Sequence, residues 1–293
     1  MNDCLLDKGK EGIMNNNQGQ IFNNHVLTGL NTVSMYDVET HVAELCDVQE
    51  AYTDDVELIR SLVGQGKPLR ILEPFCGTGR IFIPLALDGH SAVGIDRAKA
   101  MIDRARQKCD FFHHDVQQRT RLITANVLGG DWPTDFDLVI LGGNCLYELA
   151  TAEEQERCVA RASHALKRGG YLYLDNNHME GALSESWQRL DVDEKAFPTG
   201  KCEDGTQFQT RRERIWFDIT QRLVRYRRKT TVTFPDGSIK TEEYLVQCHP
   251  PSTGEMRTWL ERHSFVVERI YGARSGSSYE DSSNRAIFWA RKI

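Results

Sequence analysis

Residues 69–96 read LRILEPFCGTGRIFIPLALDGHSAVGID, and the order of their parts decides the fold. Leu69-Arg70-Ile71-Leu72-Glu73-Pro74 is a short apolar run of the length of a buried strand. It ends in Cys76-Gly77-Thr78-Gly79, where glycine allows a sharp turn and lets a ligand approach the backbone closely. Apolar residues continue at helical spacing over 81–87, and Ala92-Val93-Gly94-Ile95-Asp96 is a second strand. Strand, glycine turn, helix and strand make a βαβ unit, which calls for a parallel sheet.

The alternation extends outward from this unit. A helix is expected over 99–108, a third strand over 122–125 and a fourth over 136–141. A helix over 153–166 closes with Lys167-Arg168-Gly169-Gly170, a basic last turn and a glycine stop, before a fifth strand over 171–175. Upstream, apolar spacing over 40–63 predicts one or two helices ahead of the core. After Asp175 the alternation stops. Strands over 214–220, 222–234 and 240–247, with Phe234-Pro235-Asp236-Gly237-Ser238 as a hairpin turn, predict an antiparallel lobe over the mouth of the sheet. The chain then returns with a helix over 253–262 and strands over 265–271 and 285–290. The expected organisation is a flexible arm (1–30), an N-terminal helical cap (31–65), a doubly wound α/β core (66–180), an inserted lobe or lid (181–252) and the last helix and strands of the core (253–293).

Composition narrows the partners. With 40% hydrophobic and 27% charged residues, the 293-residue chain reads as an ordinary globular protein. A net charge of −6 argues against a nucleic-acid partner held through phosphates. No apolar run approaches the roughly 18–20 residues that a membrane span needs. The eight cysteines are scattered without a Cys-x-x-Cys pair, the pattern of reduced thiols in the cytoplasm and not of a metal site. A homo-oligomer is compatible with all of this.

A Gly-x-Gly turn alone also suits a dinucleotide. Two features point away from one: Phe82 stands where the third glycine of that fingerprint belongs, and the Glu73 carboxylate would repel a pyrophosphate but attract an ammonium group. Asp96 ends the second strand, 19 residues past Gly77, where a carboxylate accepts both hydroxyls of a ribose. The pair fits a ligand with a ribose, a cationic amino-acid tail and no phosphate, and S-adenosylmethionine is such a ligand. The plainer reading is that both acids cap nearby helices.

Residues 71–106 (ILEPFCGTGRIFIPLALDGHSAVGIDRAKAMIDRAR), with 136–139 and 167–175, resemble class I S-adenosylmethionine-dependent methyltransferases, and within them the small-molecule branch that includes glycine N-methyltransferase-like enzymes. Residues 256–265 and 282–292 are similar to the end of that branch. The resemblance implies a seven-stranded Rossmann-like sheet and S-adenosyl-L-methionine as cofactor. It implies that Gly77 and Gly79 cradle the amino-acid part, that Asp96 holds the ribose and that Arg97 and Met101 flank the adenine. In place of the family's acid after the third strand stands Ala125-Asn126-Val127, so Asn126, with Val127 beside it, takes the adenine amino group. Asn144 matches a position at the methionine end.

Asn177 occupies about the place where glycine-type relatives carry an arginine for the substrate carboxylate. His178 and Glu180 beside it favour an amine or guanidine acceptor, with His178 as the base. Tyr36 is expected near the methyl group, and Tyr147 and Glu148 border the pocket. Against these stand bland readings: His178 caps a turn, Glu180 is solvated and the tyrosines pack. The clusters Arg211-Arg212-Glu213-Arg214 and 225–229 read as a half-exposed strand, with Arg225, Arg227 and Arg228 on its solvated face. The function expected is N-methylation of a small molecule. The alternatives are a small-molecule O-methyltransferase, a nucleic-acid methyltransferase and a non-catalytic cofactor-binding protein.

Overall fold

A computed structural model describes residues 33–293, so the arm expected over 1–30 lies outside the described residues. The chain opens with helices α1 (Val42–Gln49) and α2 (Asp54–Val63), then runs β1 (Arg70–Pro74), α3 (Phe82–Leu87), β2 (Ser91–Asp96), α4 (Lys99–Asp110), α5 (His114–Arg119) and β3 (Thr120–Thr124). It continues with β4 (Phe136–Leu141), α6 (Ala152–Ala165) and β5 (Leu166–Asn177). A second set of strands follows: β6 (Val192–Asp193), β7 (Gly200–Lys201), β8 (Gln207–Asp218), β9 (Leu223–Thr233) and β10 (Ile239–Cys248). Helix α7 (Thr253–Arg262), β11 (Phe265–Tyr271) and β12 (Arg285–Lys292) complete it.

The main sheet has seven strands in the order β11-β12-β5-β4-β1-β2-β3. Strands β1 to β5 are parallel, whereas β12 is antiparallel to both β5 and β11. Alternate residues feed two cores. Ile71, Leu138, Ile140 and Tyr173 meet Val56 and Ile59 of α2 and Leu85 of α3 on one face. Leu72, Val139, Leu141 and Leu174 meet Val159 and Ala162 of α6 and Trp259 and Leu260 of α7 on the other. Both faces are covered, which is why these strands read as continuous apolar runs.

Helix α7 starts where expected because Ser252 and Glu255 form a reciprocal capping box. The glycine stop after α6 behaves differently. Helix α6 ends at Ala165, and Lys167-Arg168-Gly169-Gly170 lies within β5, with Gly169 at φ 79° and a register shift opposite Phe136–Leu138. The pair of glycines makes a bulged strand start, not a helix C-cap. Helix α5 and the two-residue strands β6 and β7 carry no pattern long enough to read from sequence.

The second sheet runs β10-β9-β8-β6, all antiparallel, with β7 on β8. Its inner face places Phe208, Val232 and Tyr244 against Val42, Leu45 and Cys46 of α1, and these against Met101 of α4 and Ala98 just before it. Helix α1 is thus wedged between lobe and core. Among the described residues no helix is long and apolar enough to cross a membrane.

Candidate active site

Strand β1 lies next to both β2 and β4, so the crossovers diverge at its carboxyl end and open a crevice there. The lobe and α1 roof this crevice into a cavity of about 870 Å³, within the upper range for small-molecule sites. Of the residues singled out from sequence, Tyr36, Glu73, Gly77, Asp96, Arg97, Met101, Asn126, Val127, Asn144 and Tyr147 line it.

The turn after β1 is built around Asp96. Its Oδ2 accepts the Gly77 N–H at 2.9 Å and its Oδ1 the Ala98 N–H at 2.8 Å. One carboxylate therefore fixes both the glycine turn and the start of α4. Burial holds its carboxyl above the ordinary range, although the Ala98 and Gly77 N–H groups favour the ionised form. Gly77 sits at φ 53° with open space where a Cβ would stand, so the cavity reaches its backbone. Gly79 does something else: at φ 87°, a Cβ there would fall 2.5 Å from Ile83 Cδ1. It serves the packing of the turn on α3 and is not among the lining residues.

Glu73 is buried, and its Oε2 accepts the Phe82 N–H at 2.9 Å, capping α3. Burial pushes its carboxyl up to about 8, against the pull of the Arg80 guanidinium. The capping and ligand readings are therefore not exclusive, because Oε1 takes no hydrogen bond from a described residue. Asn126 Oδ1, expected to meet the adenine amino group, already accepts the Leu128 N–H at 2.9 Å. Asn144, at φ 62°, has its Oδ1 held by the Asn177 N–H at 2.8 Å and by Arg285 Nη2 at 3.1 Å.

Behind the crevice stands a buried ionic chain. Arg80 makes two 2.7 Å hydrogen bonds to the Asp55 carboxylate, and Asp175 receives Arg274 Nε at 2.9 Å and Arg285 Nε at 2.6 Å. Tyr52 is sandwiched between the Arg80 and Arg274 guanidiniums, at 3.9 and 4.4 Å from its ring centre.

Three sequence-derived candidates are not brought to the cavity. Strand β5 continues to Asn177, whose Oδ1 accepts from Arg285 Nη1 at 3.0 Å. His178 follows with its Nδ1 3.0 Å from both the Thr253 hydroxyl and the Tyr279 hydroxyl. Glu180 is exposed beside Gly254. Pairing of β5 with β12 turns this segment toward the C-terminal loops and away from the crevice.

The lobe contributes residues that sequence reading left outside the site. Arg212, Tyr226, Arg228 and Cys248 line the cavity, as does Trp187; Glu148, expected from sequence to border the pocket, lines it from the core side. Arg228 is only 8% exposed and shares the inner face of β9 with Val224 and Tyr226, which corrects its assignment to a solvated face. Strict period-2 counting from Val224 would have found it. Arg227 is exposed as expected and pairs with Glu213. Tyr36 keeps its proton: burial, then Glu148 and Glu50, hold the phenol well above its ordinary value. Burial pushes the Tyr147 phenol up to about 12.

Sheet order and the glycine turn are those of the Rossmann-like methyltransferase fold. Residues 71–170 match the family model described as "Methyltransferase domain". A 62-residue stretch is 39% identical to the 23S rRNA (uracil(1939)-C(5))-methyltransferase of Bordetella pertussis, and the chain spans 13% of that relative's length. Among solved structures, the CcbJ methyltransferase of Streptomyces caelestis superposes with a TM-score of 0.63 at 18% identity, over 89% of this chain and 98% of that one. CalS10 with bound S-adenosylmethionine, an amino pentose methyltransferase of Micromonospora echinaspora, gives 0.54 at 19% identity over 89% and 93%. These structures share the fold, and S-adenosylmethionine is the ligand bound in CalS10. The chain's donor set suits it: Asp96 for the ribose, Glu73 for the ammonium and the Gly77 backbone beneath the amino-acid part.

Proposed function

We propose that this protein transfers a methyl group from S-adenosylmethionine to a nitrogen of a small-molecule acceptor, an amine or guanidine. The observation that carries the reading is a roofed cavity lined from both the core and the lobe. Glu73, Gly77, Asp96, Asn144 and Glu148 line it from the core, Tyr36 from the segment before α1, and Tyr226 and Arg228 from the lobe. Bound S-adenosylmethionine supplies an electrophilic methyl on a cationic sulfur. The protein's own task is alignment, since holding two reactants at near-attack distance removes much of the entropic barrier. Asp96 and Glu73 fix the donor, and α1 and the lobe roof the space where the acceptor would lie.

The enclosure favours a small acceptor over a nucleic acid. The outward arginines of the lobe are largely matched by acids, Arg211 with Glu194 and Arg227 with Glu213 and Glu243. The amino pentose acceptor of CalS10 makes amino sugars a first choice to try. The test is release of S-adenosylhomocysteine across a panel of amines, guanidines, amino sugars, phenols and RNA. Turnover with nitrogen acceptors and none with their hydroxyl counterparts is expected. Turnover confined to phenols, or to RNA with steep salt dependence of binding, would overturn the reading.

A further inference from the structure

The turn after β4 places one carboxylate in the cavity with nothing to hold it. Gly143 and Asn144, at φ 63° and 62°, send the chain into a single 3-10 turn, Cys145–Glu148, across the crevice. Cys145 and Leu146 of this turn are buried in the core, which fixes its orientation. Glu148, its last residue, lines the cavity and is accessible from it. Among the described residues its carboxylate accepts no hydrogen bond and makes no ion pair within 4 Å. A carboxylate that is accessible from the cavity and unpaired attracts a cation that enters it.

We propose that Glu148 binds the ammonium form of the acceptor and takes its proton, and that the acceptor is therefore an amine that arrives as a cation. The proposal rests on the methyl-transfer reading above and names the substrate class of that same site. An ammonium nitrogen has no lone pair and cannot attack. Transfer of one N–H proton to a Glu148 oxygen leaves a neutral amine and a carboxylic acid. The freed lone pair then forms the N–C bond to the methyl carbon, the C–S bond breaks, and its electron pair stays on sulfur. Charge is conserved: the positive charge leaves sulfur and appears on the methylated nitrogen. Glu148 later returns its proton to solvent.

The surroundings suit this task. Facing Glu148 are Arg228 on β9, Asp96 and Arg97 at the end of β2, Glu50 after α1, Tyr36 before it, and Tyr244 and Cys248 on β10. Partial desolvation by the protein around the cavity is the largest influence and pushes the carboxyl up to about 7. Arg228 and Arg97 oppose that shift, while Asp96 and Glu50 add to it. A base near the working pH is the most effective one. Tyr36 and Tyr147 hold their protons too tightly to compete, and His178 is turned away. Arg228 keeps a carboxylate available without forming a closed pair that an acceptor would have to break.

The test uses the full chain loaded with S-adenosylhomocysteine and a probe set of benzylamine, ethanolamine, glucosamine and agmatine, each paired with its hydroxyl counterpart. Calorimetry first measures S-adenosylhomocysteine itself. Failure of wild type to bind it would sink the cofactor reading, whereas normal binding isolates the question of Glu148. At least one amine is expected to bind wild type ten-fold or more tightly than Glu148→Gln, with the hydroxyl counterpart indifferent. For that amine, wild-type kcat/KM should rise through one ionisation near pH 7. Glu148→Gln should lack this limb, and Glu148→Asp should restore it in part. Equal amine binding and identical pH profiles in wild type and Glu148→Gln would overturn the proposal. So would the failure of every amine to bind the loaded wild type.

Discussion

Replacing Asp96 with alanine tests the donor site most directly, and its cost separates into two parts. In the free protein Asp96 accepts the Gly77 and Ala98 N–H groups at 2.9 and 2.8 Å. Alanine leaves both donors without their partner. A buried donor so orphaned costs about 1–3 kcal/mol, and the cavity admits water to this turn, so the low end applies and a total loss of about 2 kcal/mol in stability is expected. The second part appears only on binding. Two ribose hydroxyls lose a charged acceptor, worth about 1.5–3 kcal/mol, so the dissociation constant for S-adenosylhomocysteine should rise roughly ten- to hundred-fold. Urea denaturation of the free protein gives the first part. Calorimetry at a temperature where the variant is folded gives the second. Asp96→Asn should keep more stability than alanine, because its amide oxygen still accepts one of the two N–H groups, while losing the charge that serves the ribose. A folded variant with an unchanged dissociation constant would refute the ribose assignment outright, whatever happened to stability.

Other outcomes follow from the titrating groups. Glu73, pushed up to about 8 by burial, is largely protonated at pH 7, and a ligand ammonium beside it favours the ionised form. Cofactor binding should therefore release a proton near pH 7, and the release should vanish above pH 9, where Glu73 is already ionised. Calorimetry in buffers of different ionisation enthalpy counts it, and an equal count in Glu73→Gln would exclude Glu73 as the source. Glu255 is the opposite case. Despite burial, hydrogen bonds from His249 and Ser252 bring it down to about 2. Its folded value lies below its ordinary one, so its contribution is complete above pH 4.5 and lost as the pH falls toward 2. Urea midpoints of wild type and Glu255→Gln should converge across that window, and a gap that persisted at pH 2 would disprove the linkage.

How much could be read beforehand depended on whether a residue's role is set locally. Strand β4 was legible to its ends because Phe136–Leu141 is a continuous apolar run with both faces covered. Asp96 and the glycine turn were legible because strand, turn and helix fix them within one βαβ unit. His178 was misjudged because its direction depends on β12, more than a hundred residues later, which draws β5 two residues beyond Asp175. Arg228 was misplaced because a run of five basic and aromatic residues hides its alternation from a reader of composition, although the pleat counts it inward. Glu148 was seen only as a neighbour of the pocket, since nothing local reveals that its carboxylate is left without a partner once the lobe closes.

The far end of the chain also sets when this site comes into being. Strand β12 is threaded between β5 and β11, and its Arg285 completes the shell around both Asp175 and Asn144. During synthesis, a chain that has emerged only as far as the lobe already carries the glycine turn, Asp96 and the roof. It still lacks two guanidiniums for a buried acid and the clamp on the amide at the crevice. Assembly of the crevice thus waits for residues more than a hundred positions beyond β5, and a chain cut before Arg285 would hold a half-built pocket. A residue far along the chain in this way finishes a clamp on Asn144 that the Asn177 N–H begins.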